Sequence, residues 1–145
     1  MKLLIINGPN LNMLGIREKD LYGDRDYETL CIYIQKAASA SGAAADLFQS
    51  NHEGAIVDRI QQAFFDGTDG IVINPGAYAH TSVAILDALK AVSLPCVEVH
   101  LTDINAREPF RRISYAGMAC EAHFSGLGFE GYKRAIEYLC SRNRA

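Results

Sequence analysis

The sequence predicts an α/β protein whose core is a doubly wound, parallel sheet of five strands with helices on both faces. Short apolar runs of strand length alternate with longer segments in which apolar residues recur at helical spacing. Several short runs stop at glycine, proline or asparagine, as strands do where they enter a loop. The chain has 145 residues, of which 49% are hydrophobic, so we expect residues 1–145 to form a single domain.

Five segments have the composition of strands. Residues 3–6 and 71–73 are continuous runs of Leu, Ile and Val, which are typical of parallel strands buried on both faces. Residues 44–48 and 96–101 predict two more strands, and residues 119–124 predict a weaker fifth. In the fourth strand, the alternation of side chains puts Glu98 and His100 on the same face.

The segments between the strands predict four main helices, each with one buried face. The residues predicted to face the core are Leu30, Ile34 and Ala37 or Ala38 in the first helix, Ile56, Val57, Ile60, Ala63 and Phe64 in the second, Val83, Leu86 and Leu89 in the third, and Tyr132, Ala135, Ile136 and Leu139 in the last. Ser50 and Glu53 have the spacing of a capping box for the second helix. Thr81 and Ser82 offer capping hydroxyls to the third.

Polar residues follow or end the predicted strands, at Asn10, Asn74, His80, His100 and Thr102. The carboxyl ends of parallel strands meet at one edge of the sheet, where ligands of open α/β proteins bind. We predict the flavodoxin-like strand order 2-1-3-4-5, which makes strands 1, 3 and 4 neighbours. This order brings Asn10, Asn74 and His100 together.

Composition excludes several classes of partner. The net charge of −3 and the lack of a basic run argue against nucleic acid. The first apolar run is too short for a signal peptide, and none is long enough to cross a membrane. Cys31, Cys96, Cys120 and Cys140 are scattered through apolar segments, which predicts reduced, core-forming thiols and a cytoplasmic protein.

Motifs for phosphate, nucleophilic and metal chemistry are missing from the sequence. It contains no P-loop, no dinucleotide fingerprint after the first strand and no G-x-S-x-G elbow. No lysine falls at the carboxyl end of a predicted strand, which disfavours a Schiff base. The four histidines do not have the spacing of a zinc site.

His100 is the strongest acid–base candidate. Imidazole titrates near neutral pH, and Glu98 on the same strand face can orient the ring and favour its protonated form. The alternative is a core histidine satisfied by a carboxylate. His80 lies in the turn after the third strand. The alternative is an ordinary loop, with Asn74 as turn former and His80 as a helix cap. His52 is expected in a loop, and His123 has no evident partner.

Arginines supply two further candidate groups. Arg17 and Tyr22 share a long polar segment between the first strand and the first helix, and a nearby cation lowers the pKa of a phenol from its usual ~10. Arg107 and Arg111 would share a face if residues 106–112 were helical, and could then hold an anionic or hydroxylated ligand. In both cases the alternative is that the side chains lie on a solvated surface. We expect Arg112 to be such a solvated residue.

Six motifs resemble the type II 3-dehydroquinate dehydratase (type II dehydroquinase) family, and they cover the chain in order and register. They are Asn-Gly-Pro-Asn-Leu-Asn-Met-Leu-Gly at 7–15; Arg-Glu at 17–18 with Leu-Tyr-Gly at 21–23; Ile-Asn-Pro-Gly-Ala-Tyr-Ala-His-Thr-Ser at 73–82; Glu-Val-His-Leu-Thr at 98–102; Ala-Arg-Glu-Pro-Phe-Arg at 106–111; and the closing Gly-Leu-Gly-Phe-Glu-Gly-Tyr at 126–132.

The resemblance implies a hydro-lyase that converts 3-dehydroquinate to 3-dehydroshikimate by anti elimination through an enolate. The reaction belongs to the shikimate pathway of aromatic amino acid biosynthesis and uses neither a metal nor an organic cofactor. By position, Tyr22 would be the base, favoured as phenolate by Arg17. Asn10 would hold the water that stabilises the enolate, and His100, backed by Glu98, would be the acid.

The resemblance also implies a substrate-binding set and an assembly. The implied binding residues are Asn74, Gly76, His80, Asp87, Leu101, Thr102, Arg107 and Arg111. Among them, Arg107 would belong to a mobile lid, and Asp87 would reach in from a neighbouring subunit. The family assembles as a dodecamer made of four trimers.

Three segments depart from the family pattern. Residues 24–27 read Asp-Arg-Asp-Tyr where the family usually has a Thr-Leu pair. Asp103 replaces an asparagine and adds a negative charge close to the expected anion site. Glu121 and His123 lie in a strand that is normally apolar, which bears on a subunit contact.

A second interpretation is a flavodoxin-like module that binds a ligand without catalysis. It explains the sheet and its polar edge equally well. It does not explain the joint presence of Arg17, Tyr22 and His100.

Overall fold

The computed structural model describes residues 1–16 and 25–142 and has the predicted parallel sheet. Its strands are β1 (Lys2–Asn7), β2 (Ala44–Gln49), β3 (Gly70–Asn74), β4 (Cys96–His100) and β5 (Ala122–Ser125). They pair in parallel in the order β2-β1-β3-β4-β5, so the prediction of a flavodoxin-like order 2-1-3-4-5 is confirmed. β1, β3 and β4 are neighbours, as the predicted site requires.

In the described ranges, four α-helices cover the sheet: α1 (Tyr27–Ala40), α2 (Glu53–Phe65), α3 (Val83–Val92) and α4 (Glu130–Arg142). Leu3 and Ile5 of β1 belong to a buried cluster with residues of α1 and α4. Leu4 and Ile6 belong to a second cluster with residues of α2 and α3. Successive side chains of β1 thus point to opposite faces, each covered by two helices, which is the doubly wound arrangement.

Two predicted core residues are exposed. Val83 and Phe64 are 50% and 61% exposed, respectively. Val83 is the first residue of α3, and Ile85, Leu86, Ala88, Leu89 and Val92 form the buried face instead. Phe64 lies in the last turn of α2, beyond the buried Ala63, and packs its ring against Phe65 at 5.1 Å between ring centroids. Helical periodicity predicts which side of a helix is buried. How far along the helix the burial continues depends on the extent of the sheet beneath it.

Helix caps follow local hydrogen bonds. Ser82 caps α3 as predicted, since its Oγ accepts from the Ile85 N–H at 3.0 Å. The predicted capping box at Ser50 is wrong, because Ser50 Oγ instead accepts from the His52 N–H at 3.0 Å. This local turn makes His52 the residue before α2, and its side chain makes no capping bond.

The cysteines are free thiols, but two are closer than the sequence suggested. Cys96 begins β4 and Cys120 precedes β5, and 3.3 Å separates their sulfur atoms. Cys96 is buried, as predicted, whereas Cys31, Cys120 and Cys140 are partly exposed. None of the helices in the described ranges has the length and apolar character needed to span a membrane.

Candidate active site

A cavity of about 150 Å³ lies beyond the carboxyl ends of β1, β3 and β4. This is the sheet edge where the sequence predicted the site. Its lining residues are Pro9, Asn10, Leu11, Asn74, Gly76, Ala77, His80, His100, Leu101, Thr102, Ile104, Arg107 and Arg111. The fold therefore brings nine of the predicted site residues to one concave surface, from segments that are far apart along the chain.

The loops after β1 and β3 are held against each other by their backbones. The Gly8 N–H donates to the Asn74 carbonyl at 2.8 Å. A Cβ atom on residue 8 would lie 2.4 Å from the Pro75 carbonyl oxygen, so only glycine allows this approach. Two residues later Asn10 has a left-handed backbone with φ 70° and its N–H donates to Asn51 Oδ1 at 3.0 Å. These contacts set Asn10 at the rim of the cavity.

Asn74 is held by a buried tyrosine. The Asn74 Nδ2 donates to Tyr132 Oη at 3.0 Å, and that hydroxyl donates to Asn7 Oδ1 at 2.6 Å. Asn74 Oδ1 accepts from the Gly76 N–H at 3.2 Å. Burial raises the pKa of Tyr132 well above that of an ordinary phenol, so this hydroxyl stays protonated and acts as a hydrogen-bonding bridge. The helical pattern predicts Tyr132 as a core residue and does not reveal this role, although a buried phenol hydroxyl usually needs a hydrogen-bond partner.

Tyr132→Phe is expected to lower the free energy of unfolding by about 1–3 kcal/mol, because the buried amides of Asn7 and Asn74 each lose a partner. It should also raise the KM for the substrate, since the amide of Asn74 is no longer held at the cavity. Chemical denaturation and steady-state kinetics measure the two effects. Tyr33→Phe is the matched control, since the Tyr33 ring packs against Phe129 and the same core cluster. A Tyr132→Phe protein as stable as this control would show that the bridge contributes nothing.

His80 and His100 face each other across the cavity. Their rings are nearly parallel, with 6.4 Å between centroids. Nδ1 of His80 lies 2.7 Å from the Ile113 carbonyl oxygen, so this nitrogen carries a proton and donates to that oxygen. The Nε2 atom of His80 is then the nitrogen available to a ligand. His80 thus lines the cavity from the turn after β3, and Ser82 rather than His80 caps α3.

Glu98 and His100 form the predicted pair at the end of β4, and both side chains are buried. Glu98 Oε2 lies 3.3 Å from His100 Nε2, within ion-pair distance, although the ring N–H is not aligned for a hydrogen bond. The Ser114 hydroxyl donates to the same oxygen. Burial raises the pKa of Glu98, but the contact and charge of His100, with hydrogen bonds from Ser114 and His123, leave that pKa below its ordinary value. Glu98 is therefore an anion beside the His100 ring.

His123 has a partner, contrary to the sequence prediction. Its Nδ1 lies 3.2 Å from Glu98 Oε1, the carboxylate oxygen opposite His100. In the ladder between β4 and β5, residue 123 is the register partner of Glu98. The sequence could not reveal this pairing, because strand alternation orders side chains within one strand and leaves the register between strands open.

Arg107 and Arg111 both line the cavity, but not as neighbours on a helix face. Residues 104–111 form two 3₁₀ turns, Ile104–Ala106 and Pro109–Arg111, with an extended Arg107 between them. Proline at 109 cannot donate the backbone hydrogen bond that a continuous helix would need. Arg111 Nε donates to Glu108 Oε2 at 2.6 Å. Arg112 is exposed, as expected.

Two predicted site residues in the described ranges do not line this cavity, and two more lie outside those ranges. Glu98 lies behind His100, on the far side from the cavity. Asp87 is an exposed residue in the middle of α3. Arg17 and Tyr22 lie outside the described residues, so their predicted contacts are not part of this geometry.

The arrangement suits a small, polar, anionic ligand. Two guanidinium groups attract negative charge, and the Asn74 amide, the Thr102 hydroxyl and the His80 ring offer hydrogen bonds. His100, with a buried carboxylate behind it, can protonate an oxygen of such a ligand.

Comparisons with known proteins agree on one family. A family model described as "Dehydroquinase class II" matches residues 1–140. A 3-dehydroquinate dehydratase of Lachnospira eligens is 51% identical, covering 94% of each chain, and one of Clostridium beijerinckii is 50% identical, covering 96% of this chain and 95% of the relative. A solved type II dehydroquinase of Butyrivibrio crossotus superposes with a TM-score of 0.94 at 53% identity, covering 96% of this chain and 97% of the other.

Proposed function

The chain belongs to the class II dehydroquinase family, and we propose that it dehydrates 3-dehydroquinate to 3-dehydroshikimate by anti elimination through an enolate. The observation that carries the proposal is the pair of His100 and Glu98 at a cavity that also holds two arginines. The reaction would be a cytoplasmic step of the shikimate pathway. It would use side chains and water, without a metal or an organic cofactor.

Elimination of water from a β-hydroxy ketone needs three groups, and the proposal assigns each one. Tyr22, as a phenolate favoured by Arg17, would remove the C2 proton. Asn10 would hold a water molecule against the enolate oxygen. His100 would then protonate the leaving hydroxyl, so that the C–O bond breaks and water departs.

Glu98 would keep His100 protonated and oriented for this step. A carboxylate buried beside an imidazole favours the imidazolium, and the Glu98 oxygen faces Nε2. This leaves Nδ1 as the ring nitrogen available to the leaving oxygen. The substrate needs no covalent attachment to lysine, which fits the lack of a lysine among the described residues that line the cavity.

The remaining residues would bind the substrate. Asn74, with the loop of Gly76 and the backbone and hydroxyl of Leu101 and Thr102, would hold the carboxylate. His80 and Arg111 would bind ring hydroxyls, and Arg107 would close over the ligand. The exposed Asp103 caps the 3₁₀ turn Ile104–Ala106. One oxygen of its carboxylate accepts a hydrogen bond from the Asn105 N–H at 2.9 Å.

A direct assay tests the function. Purified protein is mixed with 3-dehydroquinate, and the ultraviolet absorbance of the conjugated enone in 3-dehydroshikimate is followed. A steady rise proportional to protein concentration supports the proposal. Binding of dehydroquinate by calorimetry without any rise would mean that the chain is a ligand-binding module, and the enzymatic proposal would be wrong.

We also propose that the chain assembles as a dodecamer of four trimers and that Asp87 serves the site of the adjacent subunit. Asp87 is exposed on α3 and does not line the cavity of its own chain, which is compatible with a role across an interface. A closed ring of identical contacts lets each subunit lend one residue to the next.

Mixed oligomers test the shared site. Tyr22→Phe and Asp87→Asn should each impair the pure oligomer, whereas unfolding both together and refolding them at equal amounts should restore about one quarter of wild-type activity, because a random quarter of sites pairs two intact residues. Separately refolded variants that are mixed afterwards are the control. If Asp87→Asn alone is fully active, or if the refolded mixture gains nothing, Asp87 has no role across subunits.

A further inference from the structure

His100 lines two cavities. The first is the candidate active site, and the second has a volume of about 350 Å³. The second cavity is lined by Glu98, His100, Ile104, Asn105, Arg112, Ser114, Gly117, Met118, His123, Phe124 and Ser125. It contains Glu98 and His123, neither of which lines the first cavity.

Three side chains form a continuous array from this second cavity to the site. His123 Nδ1 lies 3.2 Å from Glu98 Oε1, and Glu98 Oε2 lies 3.3 Å from His100 Nε2. The side chains of His100 and Glu98 are 8% and 4% exposed, whereas that of His123 is 52% exposed. One buried carboxylate therefore joins a solvent-accessible imidazole to the imidazole at the active site.

The array is built into the fold and is not an incidental surface contact. His123 reaches Glu98 because the two are register partners in neighbouring strands. Ser114 holds the other carboxylate oxygen and accepts from the Gly117 N–H at 3.1 Å. A Cβ atom on residue 117 would lie 2.8 Å from Glu98 Oε1 and 3.1 Å from His123 Cε1, so the small residue there makes room for the pair.

We propose that His123 is a positioning residue for the proposed acid: it holds the Glu98 carboxylate so that Oε2 faces His100, and its own protonation weakens the hold of that carboxylate on the His100 proton. The proposal rests on the proposed dehydration for its kinetic consequence. It does not require His123 to touch the substrate or to pass a proton on.

The sign of the coupling follows from charge. Protonated His123 neutralises part of the Glu98 charge, so His100 gives up its proton more easily. Among the described residues, the other charged or titratable groups that line the two cavities are Arg112 in the second and His80, Arg107 and Arg111 in the first. Cys96, on the same strand as Glu98, is a thiol whose pKa is raised by its contact with Cys120, by burial and by the Glu98 charge, so it stays neutral near neutral pH. The arginines keep a constant charge across the relevant pH range, so they do not add a titration step. His80 remains as the second histidine whose titration has to be separated from that of His123.

Two substitutions at residue 123 separate the hydrogen bond from the charge. Gln retains an N–H donor for Glu98 Oε1 but cannot be protonated, and Ala retains neither. We expect His123→Ala to lower kcat about tenfold with KM changed by less than about twofold, as loss of a residue behind a catalytic group does. His123→Gln should recover kcat to within about threefold of wild type, because the carboxylate stays held.

Titration of His100 supplies a readout that does not depend on any substrate. With ¹³C-labelled histidine, the Cε1 signal of His100 in the wild-type protein should respond to protonation of its neighbours His123 and His80 as well as to its own. The response due to His123 should disappear in His123→Gln. His52→Gln is the matched control, since His52 is exposed at the start of α2 and lines neither cavity, and it should leave the titration of His100 unchanged.

Each outcome decides for or against the proposal. If His123→Ala leaves kcat and the His100 titration unchanged, His123 is a surface residue and the proposal is wrong. If His123→Gln loses as much kcat as His123→Ala in proteins with the same circular dichroism, ring packing is what matters and the positioning role is wrong. If the wild-type protein turns over no dehydroquinate, the proposed function fails, while the titration still decides whether His123 acts on His100.

Discussion

His100→Ala is expected to abolish dehydration while leaving exchange of the C2 proton with solvent intact. The proposed mechanism divides elimination into proton removal by Tyr22 and departure of the hydroxyl, and His100 acts only in the second step. Loss of a general acid typically costs about 10²–10⁴-fold in rate. The first step keeps its base and its enolate stabiliser, so the substrate should still be deprotonated and reprotonated.

The two reactions are measured separately. Product formation is followed by ultraviolet absorbance, and exchange is followed by loss of the C2 proton signal of dehydroquinate in deuterated water. His52→Ala, at an exposed histidine outside the cavity, should leave both rates at the wild-type level. Loss of exchange as complete as in a Tyr22 variant would mean that His100 is not specifically the acid of the second step.

Glu98→Gln is expected to reduce the rate of dehydration without abolishing it. The amide removes the negative charge that favours protonated His100, while its volume and its contact with Ser114 are largely kept. Dehydration should therefore fall, and the alkaline limb of the kcat profile should move to lower pH, because His100 loses its proton more readily. An unchanged limb would show that the pKa of the acid is not set by Glu98.

Tyr22→Phe is expected to lose most turnover and also the C2 proton exchange, with the fold and the oligomer preserved. The substitution removes only the hydroxyl that the proposal uses as a base. A phenol has a pKa of ~10, so it can act as a base near neutral pH only where a cation lowers that value, which is the role assigned to Arg17. Arg17→Gln should therefore move the acidic limb of the kcat profile to higher pH, because Tyr22 then ionises less readily.

Tyr27→Phe is the matched control for this position. Tyr27 begins α1, and burial raises its pKa to about 12, so this nearby phenol is a poor base at neutral pH. Its removal should leave turnover within about threefold of wild type. Exchange rates, turnover, circular dichroism and oligomer size are compared across the variants. Turnover by Tyr22→Phe that is close to that of Tyr27→Phe would remove Tyr22 from the mechanism.

The sequence by itself determined the architecture and the edge at which the cavity lies. Apolar strands that end at Asn7, Asn74 and His100, and helices of the right length between them, leave few arrangements other than a doubly wound parallel sheet. In that sheet the carboxyl ends of β1, β3 and β4 are adjacent, so their polar residues meet. Local pattern is enough for this conclusion because it depends on the order of elements and not on exact contacts.

The tertiary structure alone decided which partners support the site. Tyr132 bridges Asn7 and Asn74 across 125 and 58 residues of chain, and His123 meets Glu98 across 25. Such pairs depend on the register between strands and on how deeply a helix packs onto the sheet. Both are set by the summed packing of the whole core, because a shift by one residue would turn every side chain of β5 to the other face. No single segment of sequence contains that information.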